Sequence, residues 1–158
     1  MVKKALFIIG LLIFAGLLAY GLIYFENKTR APEERVLVIN YQKSGGFAGV
    51  DERWLIYDNG LIEGRDLTTG DRGRAWTGNI GAQAVADLLK LIEKEGFFSF
   101  EERYFPQNLC CDRFTYRIVV FGEGKGTAVT VMDGADAPEG LWRIIGEINT
   151  IISNIGRP

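Results

Sequence analysis

A single uncharged stretch near the start divides this chain into two parts. Residues 5–25 contain no Asp, Glu, Lys or Arg, and a helix of that length, at ~1.5 Å per residue, spans the roughly 30 Å hydrocarbon core of a bilayer. Two lysines precede the stretch, and aromatic residues lie at its far end, where rings favour the membrane interface. These features predict a transmembrane anchor over residues 1–25. The alternative is a cleaved signal peptide, because Ala19-Tyr20-Gly21 matches a small-x-small cleavage site.

The residues after this stretch predict a tether and one folded domain. Residues 26–35 are polar and charged and contain a proline, which favours a juxtamembrane tether, and residues 36–156 form the expected domain. Basic residues flank the apolar stretch on both sides, so the positive-inside count is nearly balanced. Because long domains translocate largely regardless of local charge, we expect a single-pass cell-membrane protein with an extracytoplasmic domain. The first expected partner is therefore the lipid bilayer, through residues 5–25.

Composition excludes several classes of function. The sequence has no histidine, which removes Ser-His-Asp and Cys-His catalysis and His-ligated zinc or haem. Outside residues 1–25, 16 basic residues face 20 acidic residues, and this balance argues against nucleic-acid binding. The glycine-rich run at 122–127 joins two predicted strands and opens no helix, unlike a phosphate-binding loop. We predict that the protein is not an enzyme and needs no cofactor.

Period-2 and turn patterns predict an antiparallel sheet. Runs rich in β-branched and aromatic residues predict strands at 36–43, 50–57, 115–121 and 127–132. Asn59-Gly60 is a strong hairpin signal and predicts a further strand at 61–64, with a short one at 74–77.

Two segments carry the helical period instead. Val85, Leu88, Leu89 and Ile92 share one helical face and predict a helix over residues 82–95 that stops at Gly96. A leucine- and isoleucine-rich stripe predicts a second helix after Pro138, with Asp136 and Glu139 as a capping box. The fold class predicted is α+β, with a mainly antiparallel sheet of about four to six strands and both helices on one face.

A glycine-rich loop between the first two strands is the leading candidate for a binding site. Its residues are Ser44, Gly45, Gly46, Phe47, Ala48 and Gly49. The three glycines allow positive φ angles that most residues avoid. Phe47 is the only large side chain in the loop, and it either fills the domain's own core or contacts a partner. The local sequence favours neither interpretation.

Two other groups of side chains suggest chemistry. Cys110 and Cys111 are adjacent in a predicted loop, where they are incidental thiols or, in an oxidising compartment, form a disulfide. A metal site is least favoured, because no third or fourth thiol or imidazole exists to complete it. Asp112, Asp133 and Asp136 do not have the spacing of an EF-hand loop, and we interpret Asp133 and Asp136 as turn and cap residues.

Several segments occur in a familiar order. They are YQKSGGFAG at 41–49, EGFF at 95–98, DRFTYRI at 112–118, VTVMDG at 129–134, and Pro138 at the start of the last helix. This ordered set resembles the emfourin-like family and covers about residues 39–152. The resemblance implies a small protein inhibitor of thermolysin-like zinc metalloproteases, in which a surface loop occludes the protease's active-site cleft. The positions that match the pattern are Ser44–Gly49 and Asp112-Arg113, which the resemblance makes the partner-binding residues.

The chain also departs from that family's pattern. It adds the membrane anchor, inserts residues 58–77 as a hairpin-like segment and carries Cys110-Cys111 before the Asp-Arg-Phe run. The anchor argues against a cytosolic protease as the partner. It also supports an alternative function, a structural or sensory ectodomain of an envelope complex that has no protease target.

Overall fold

One seven-stranded sheet and two helices make up the described part of the chain. The computed structural model describes residues 35–68, 73–109, 112–122 and 125–155. The strands are β1 (Leu37–Gly45), β2 (Val50–Tyr57), β3 (Leu61–Asp66), β4 (Ala75–Asn79), β5 (Arg103–Tyr104), β6 (Phe114–Gly122) and β7 (Lys125–Met132). The helices are α1 (Ala82–Lys94) and α2 (Glu139–Asn154), and a 3-10 turn covers Phe97–Ser99.

The strand order in the sheet is β4-β3-β2-β1-β6-β7-β5. Every neighbouring pair is antiparallel except β5 with β7, which run parallel. The predicted α+β class and mainly antiparallel sheet are confirmed. The expected four to six strands were too few, because β5 has only two residues and is defined by its pairing with Thr130 and Val131. A segment of that length has no periodicity for sequence analysis to detect.

The predicted hairpin at Asn59-Gly60 joins β2 to β3. Gly60 has a φ of 88°, and its N–H donates to the Tyr57 carbonyl over 3.0 Å. The Asn59 side chain accepts a hydrogen bond from the Leu61 N–H over 3.1 Å. The turn packs closely against the start of α1, since a Cβ on Gly60 would lie 2.6 Å from the Gly81 nitrogen. This contact restricts the position to glycine independently of the turn type.

The core lies between one face of the sheet and both helices. Side chains alternate along each strand, so that Tyr41, Trp54 and Ile118 are buried while their chain neighbours point to the other face. Residues of α1 and α2 join the same cluster, among them Val85, Leu88, Ile92, Leu141, Ile144, Ile145, Ile148 and Ile152. The Tyr41 hydroxyl donates to the Asn149 side chain over 2.9 Å and links β1 to α2. The opposite face of the sheet therefore carries no helix within the described residues.

The helix ends agree with the sequence at one site and differ at another. Helix α1 ends before Gly96 as predicted, and Gly96 has a left-handed conformation with a φ of 76°. The predicted capping box of α2 is wrong, because Pro138 is the N-cap and makes no side-chain cap bond. Asp136 lies two residues too early to reach the free N–H groups of the first turn. The Glu139 carboxylate instead pairs with Arg143 at 2.7 Å.

Several predictions concern residues that the structure does not describe. The anchor at 1–25, the tether before Arg35 and the Cys110-Cys111 pair lie outside the described residues. Among the residues that are described, no helix has the length and apolar character needed to cross a bilayer.

Candidate functional site

The glycine-rich loop connects the ends of β1 and β2 as a tight turn. Gly45, Gly46 and Gly49 have φ angles of 109°, 73° and 62°, a conformation that side-chain-bearing residues rarely adopt. The Gly49 N–H donates to the Gly46 carbonyl over 2.9 Å and closes the turn. The glycines thus have the conformational role that the sequence predicted for them.

Steric crowding makes two of these glycines necessary for a second reason. A Cβ on Gly45 would lie 2.4 Å from the Arg113 carbonyl oxygen, and one on Gly46 would lie 2.7 Å from the Phe114 ring. Real Cβ contacts are essentially never shorter than 3.0 Å. The loop can therefore approach the start of β6 only because these two positions have no side chain. A Cβ on Gly49, by contrast, would have nothing within 4 Å.

Phe47 projects from the loop into solvent. Its side chain is 96 % exposed, the highest value among the exposed large apolar residues of the described chain. The two residues that follow it, Ala48 and Gly49, are exposed as well. Of the two interpretations that the sequence left open, the structure excludes the one in which this ring fills the core.

The two segments predicted to bind a partner meet in space. The Phe47 N–H donates to a carboxylate oxygen of Asp112, and the Gly46 N–H donates to the Arg113 carbonyl over 2.9 Å. These contacts form because β1 pairs with β6, which places Gly45 directly opposite Phe114. Ser44 lies within β1, opposite Asp51 and Thr115, and its backbone is part of the sheet. The loop and the Asp112-Arg113 segment thus form one surface.

Asp133 completes the support of this surface, a role that the sequence did not indicate. The Arg113 guanidinium donates to the Asp133 carbonyl, and the Asp133 carboxylate accepts the Phe114 N–H over 2.9 Å. From its sequence context alone, Asp133 is predicted only to be a turn or cap residue after β7. The available signal was its position, since the Asp133-Gly134 pair ends the strand that lies beside β6. Recognising it required the order of the strands.

Aromatic and charged groups pack beneath the loop. The Lys43 ammonium lies 4.2 Å from the centre of the Phe114 ring, within the range of a cation–π contact. Behind it, burial raises the pKa of the Tyr116 hydroxyl to about 12, and the nearby Asp133 carboxylate adds to the increase. The phenol is thus neutral at physiological pH and packs against the Tyr41 and Trp142 rings. Its observed role is structural.

The groups at this surface are suited to contact with a partner. Within the described residues, no three His, Cys, Asp or Glu side chains lie close enough to hold a metal ion. The site offers an exposed aromatic ring, small neighbours that let another backbone approach, and a carboxylate that fixes the loop's own backbone. These groups can bind a complementary surface by burying apolar area.

Comparisons with protein-family models and with curated proteins give no match for this chain. Its function is therefore inferred from the residues and geometry of the Ser44–Gly49 loop and its supports.

Proposed function

We propose that this protein is a membrane-anchored, non-enzymatic binding domain that inhibits a thermolysin-like zinc metalloprotease. The Ser44–Gly49 loop enters the active-site cleft of the protease, and Asp112-Arg113 holds the loop in place. The observation that carries the proposal is Phe47, 96 % exposed on a loop whose backbone is bonded to the domain. A protruding apolar ring gains free energy when a concave pocket buries it. The resemblance to the emfourin-like family supplies the class of partner.

The conformation of the loop favours inhibition over cleavage. Peptides that bind in extended form use free backbone N–H groups to pair with the protein that receives them. In this loop the N–H groups of Gly46 and Phe47 already donate to Arg113 and Asp112, and Gly46 has a φ of 73°. Extension would break both bonds. A loop that is ordered before binding also loses less conformational entropy when the complex forms.

The anchor determines which proteases the domain can meet. In this proposal residues 1–25 stay in the cell membrane, and the domain faces the extracytoplasmic side. The protease must then act on the same side. The mass of the intact protein extracted from membranes tests the anchor, because retention of residues 1–25 supports it. A mature chain that begins near residue 22, directly after Ala19-Tyr20-Gly21, would establish a signal peptide instead.

Inhibition itself is tested with the full chain in neutral detergent micelles. A panel of thermolysin-like proteases cleaves an internally quenched peptide, and the inhibition constant is measured for wild type, Phe47→Ala and Phe121→Ala. Burial of a phenylalanine stabilises a complex by about 1.5–3 kcal/mol, so Phe47→Ala should weaken inhibition roughly 10- to 100-fold. Phe121 is a matched control, because it is also exposed but lies at the opposite end of β6 from the loop.

Two results would contradict the proposal. Absence of inhibition by the wild-type chain across the whole panel would remove the protease as a target. Equal weakening by Phe47→Ala and Phe121→Ala would remove the loop as the inhibitory element. Crosslinking in native membranes provides a further check, because capture of envelope proteins without any protease would favour the structural or sensory alternative.

A further inference from the structure

Four arginines form a row across the helix-free face of the sheet, on a surface separate from the Ser44–Gly49 loop. The pairing of β3 with β2 places Arg65 opposite Arg53. In the next two strand pairs, Arg53 lies opposite Gln42 of β1, and Gln42 lies opposite Arg117 of β6. Thr130 continues the row from Arg117 to Arg103. We call the four guanidinium-bearing residues, Arg65, Arg53, Arg117 and Arg103, the arginine row. It crosses five strand intervals, or roughly 24 Å at about 4.8 Å per interval.

The domain only partly balances the charge of the row. All four arginines are exposed, and within the described residues none has an ion-pair partner. Three carboxylates lie near the row: Glu63 is engaged by Arg35 and by the Tyr57 hydroxyl, Asp51 accepts a hydrogen bond from Gln42, and Glu102 borders the groove between Arg117 and Arg103. Like charges directly opposite each other, as at Arg53 and Arg65, destabilise a sheet. An anionic ligand would remove that repulsion.

Grooves run along the row between the arginines. A groove of about 370 Å³ lies between Arg65 and Arg53, and it is bordered by Trp76 and Thr77. The next, of about 170 Å³, lies between Arg53 and Arg117. The third, of about 420 Å³, lies between Arg117 and Arg103. Consecutive grooves share an arginine, so the row is a continuous series of concave sites with a guanidinium group at each border.

The shape of the sheet decides between the anionic partners that could occupy this row. Neighbouring strands are rotated by about 20–25°, so five intervals turn the outer arginines through roughly 100–125° relative to each other. A flat bilayer can meet only part of such a row, whereas a single narrow polypeptide segment can lie along it. Nucleic acid requires a basic surface of much greater charge than a chain with a net charge of −2 provides. An acidic polypeptide segment meets both conditions.

We propose that the arginine row binds an extended acidic segment of a partner protein, independently of any protease inhibition. Arg53, Arg117 and Arg103 are spaced by two strand intervals, or roughly 9.6 Å. In a polyproline II segment, every third residue lies on the same side and recurs at roughly 9.3 Å. A segment with a carboxylate at every third residue therefore places successive carboxylates at successive arginines. Each such pair can form the bidentate hydrogen bonds that guanidinium groups favour.

The test uses the full chain in neutral detergent micelles and a fluorescein-labelled peptide of about ten residues, with glutamate at every third position and proline elsewhere. Fluorescence anisotropy measures its dissociation constant. Wild type should bind the peptide more weakly as salt rises, and Arg53→Gln/Arg117→Gln should weaken binding by about 2- to 30-fold. The matched control is Lys90→Gln/Lys94→Gln, which removes the same charge from α1 and should bind like wild type.

Several outcomes would overturn this proposal. One is the absence of binding by wild type, and another is equal loss in the arginine and lysine variants. A peptide with glutamine in place of glutamate that binds equally well would show that charge is not recognised. Tighter binding of an oligodeoxynucleotide with the same number of charges would replace the polypeptide with nucleic acid. Tryptophan fluorescence of both variants must match wild type. An Arg117→Lys variant keeps the charge but cannot form the bidentate pair, so it should bind more weakly than wild type and more tightly than Arg117→Gln; affinity equal to that of Arg117→Gln would show that charge is not recognised.

Discussion

Gly45 and Gly49 offer a direct test of how closely the loop approaches β6. Both have positive φ, at 109° and 62°, so alanine is strained at either position. Only Gly45 is also blocked, because its Cβ would lie 2.4 Å from the Arg113 carbonyl oxygen while that of Gly49 would meet nothing within 4 Å. Both alanine variants therefore carry backbone strain, which is larger at Gly45 because its φ lies outside the left-handed α region, and only Gly45→Ala adds the steric overlap.

The expected difference in the free energy of unfolding is about 2 kcal/mol. A left-handed backbone conformation destabilises a residue with a side chain by about 1–2 kcal/mol. Alanine also makes the unfolded chain less flexible than glycine does, which offsets about 0.4–1 kcal/mol of that loss. Gly49→Ala should therefore lower the free energy of unfolding by about 1 kcal/mol. Gly45→Ala must in addition move β1 away from Arg113. That movement sacrifices the Gly46 N–H bond and strains the bond from Phe47 to Asp112, and the total loss should be about 3 kcal/mol.

Urea unfolding of the full chain in micelles, followed by tryptophan fluorescence, measures both values. All three tryptophans lie after residue 50, so the signal reports on the domain. The slope of the free energy of unfolding against urea concentration should be the same in both variants as in wild type, because unfolding exposes the same surface area. If the two variants differ by less than about 0.5 kcal/mol, the close contact between the loop and Arg113 is wrong. Gly45→Ala should also weaken protease inhibition more than Gly49→Ala does.

Three further predictions concern the interior and the helices. Tyr41→Phe removes the hydroxyl that bonds Asn149 and should destabilise by about 1–2 kcal/mol in urea unfolding; no loss would contradict that bond. Folding raises the pKa of the Tyr116 hydroxyl from 10.0 to about 12. The stability that this neutral hydroxyl contributes is therefore complete below about pH 10 and is lost between about pH 10 and 12. Tyr116→Phe should consequently unfold at a higher pH than wild type in an alkaline titration. The Arg143 guanidinium holds the pKa of Glu95 below its usual value of 4.5. The pair therefore stabilises the fold above pH 4.5 and ceases to do so as the pH falls through the lowered pKa. An Arg143→Gln variant should be less stable than wild type at pH 7, and the difference should vanish in acid.

Local patterns in the sequence predicted the elements of this fold well. The strands, the turn at Asn59-Gly60, the stop of α1 at Gly96 and the apolar faces of both helices follow from short-range rules of periodicity and backbone conformation. The capping box of α2 was wrong, because such a box depends on where the first helical residue lies, and that boundary was set at Pro138. Strand β5 was missed because its two residues are a strand only through their partner β7.

The sequence by itself determined the long strands, both helices and the main turns, and it identified the loop and Asp112-Arg113 as candidate binding residues. Only the tertiary structure decided that they form one surface, that Phe47 points into solvent, and that Asp133 supports Arg113. The arginine row likewise appears only in the folded sheet, since its members come from four strands between residues 53 and 117. The physical reason is that periodicity fixes the side of a strand to which a residue points, whereas the order and register of strands fix its neighbours.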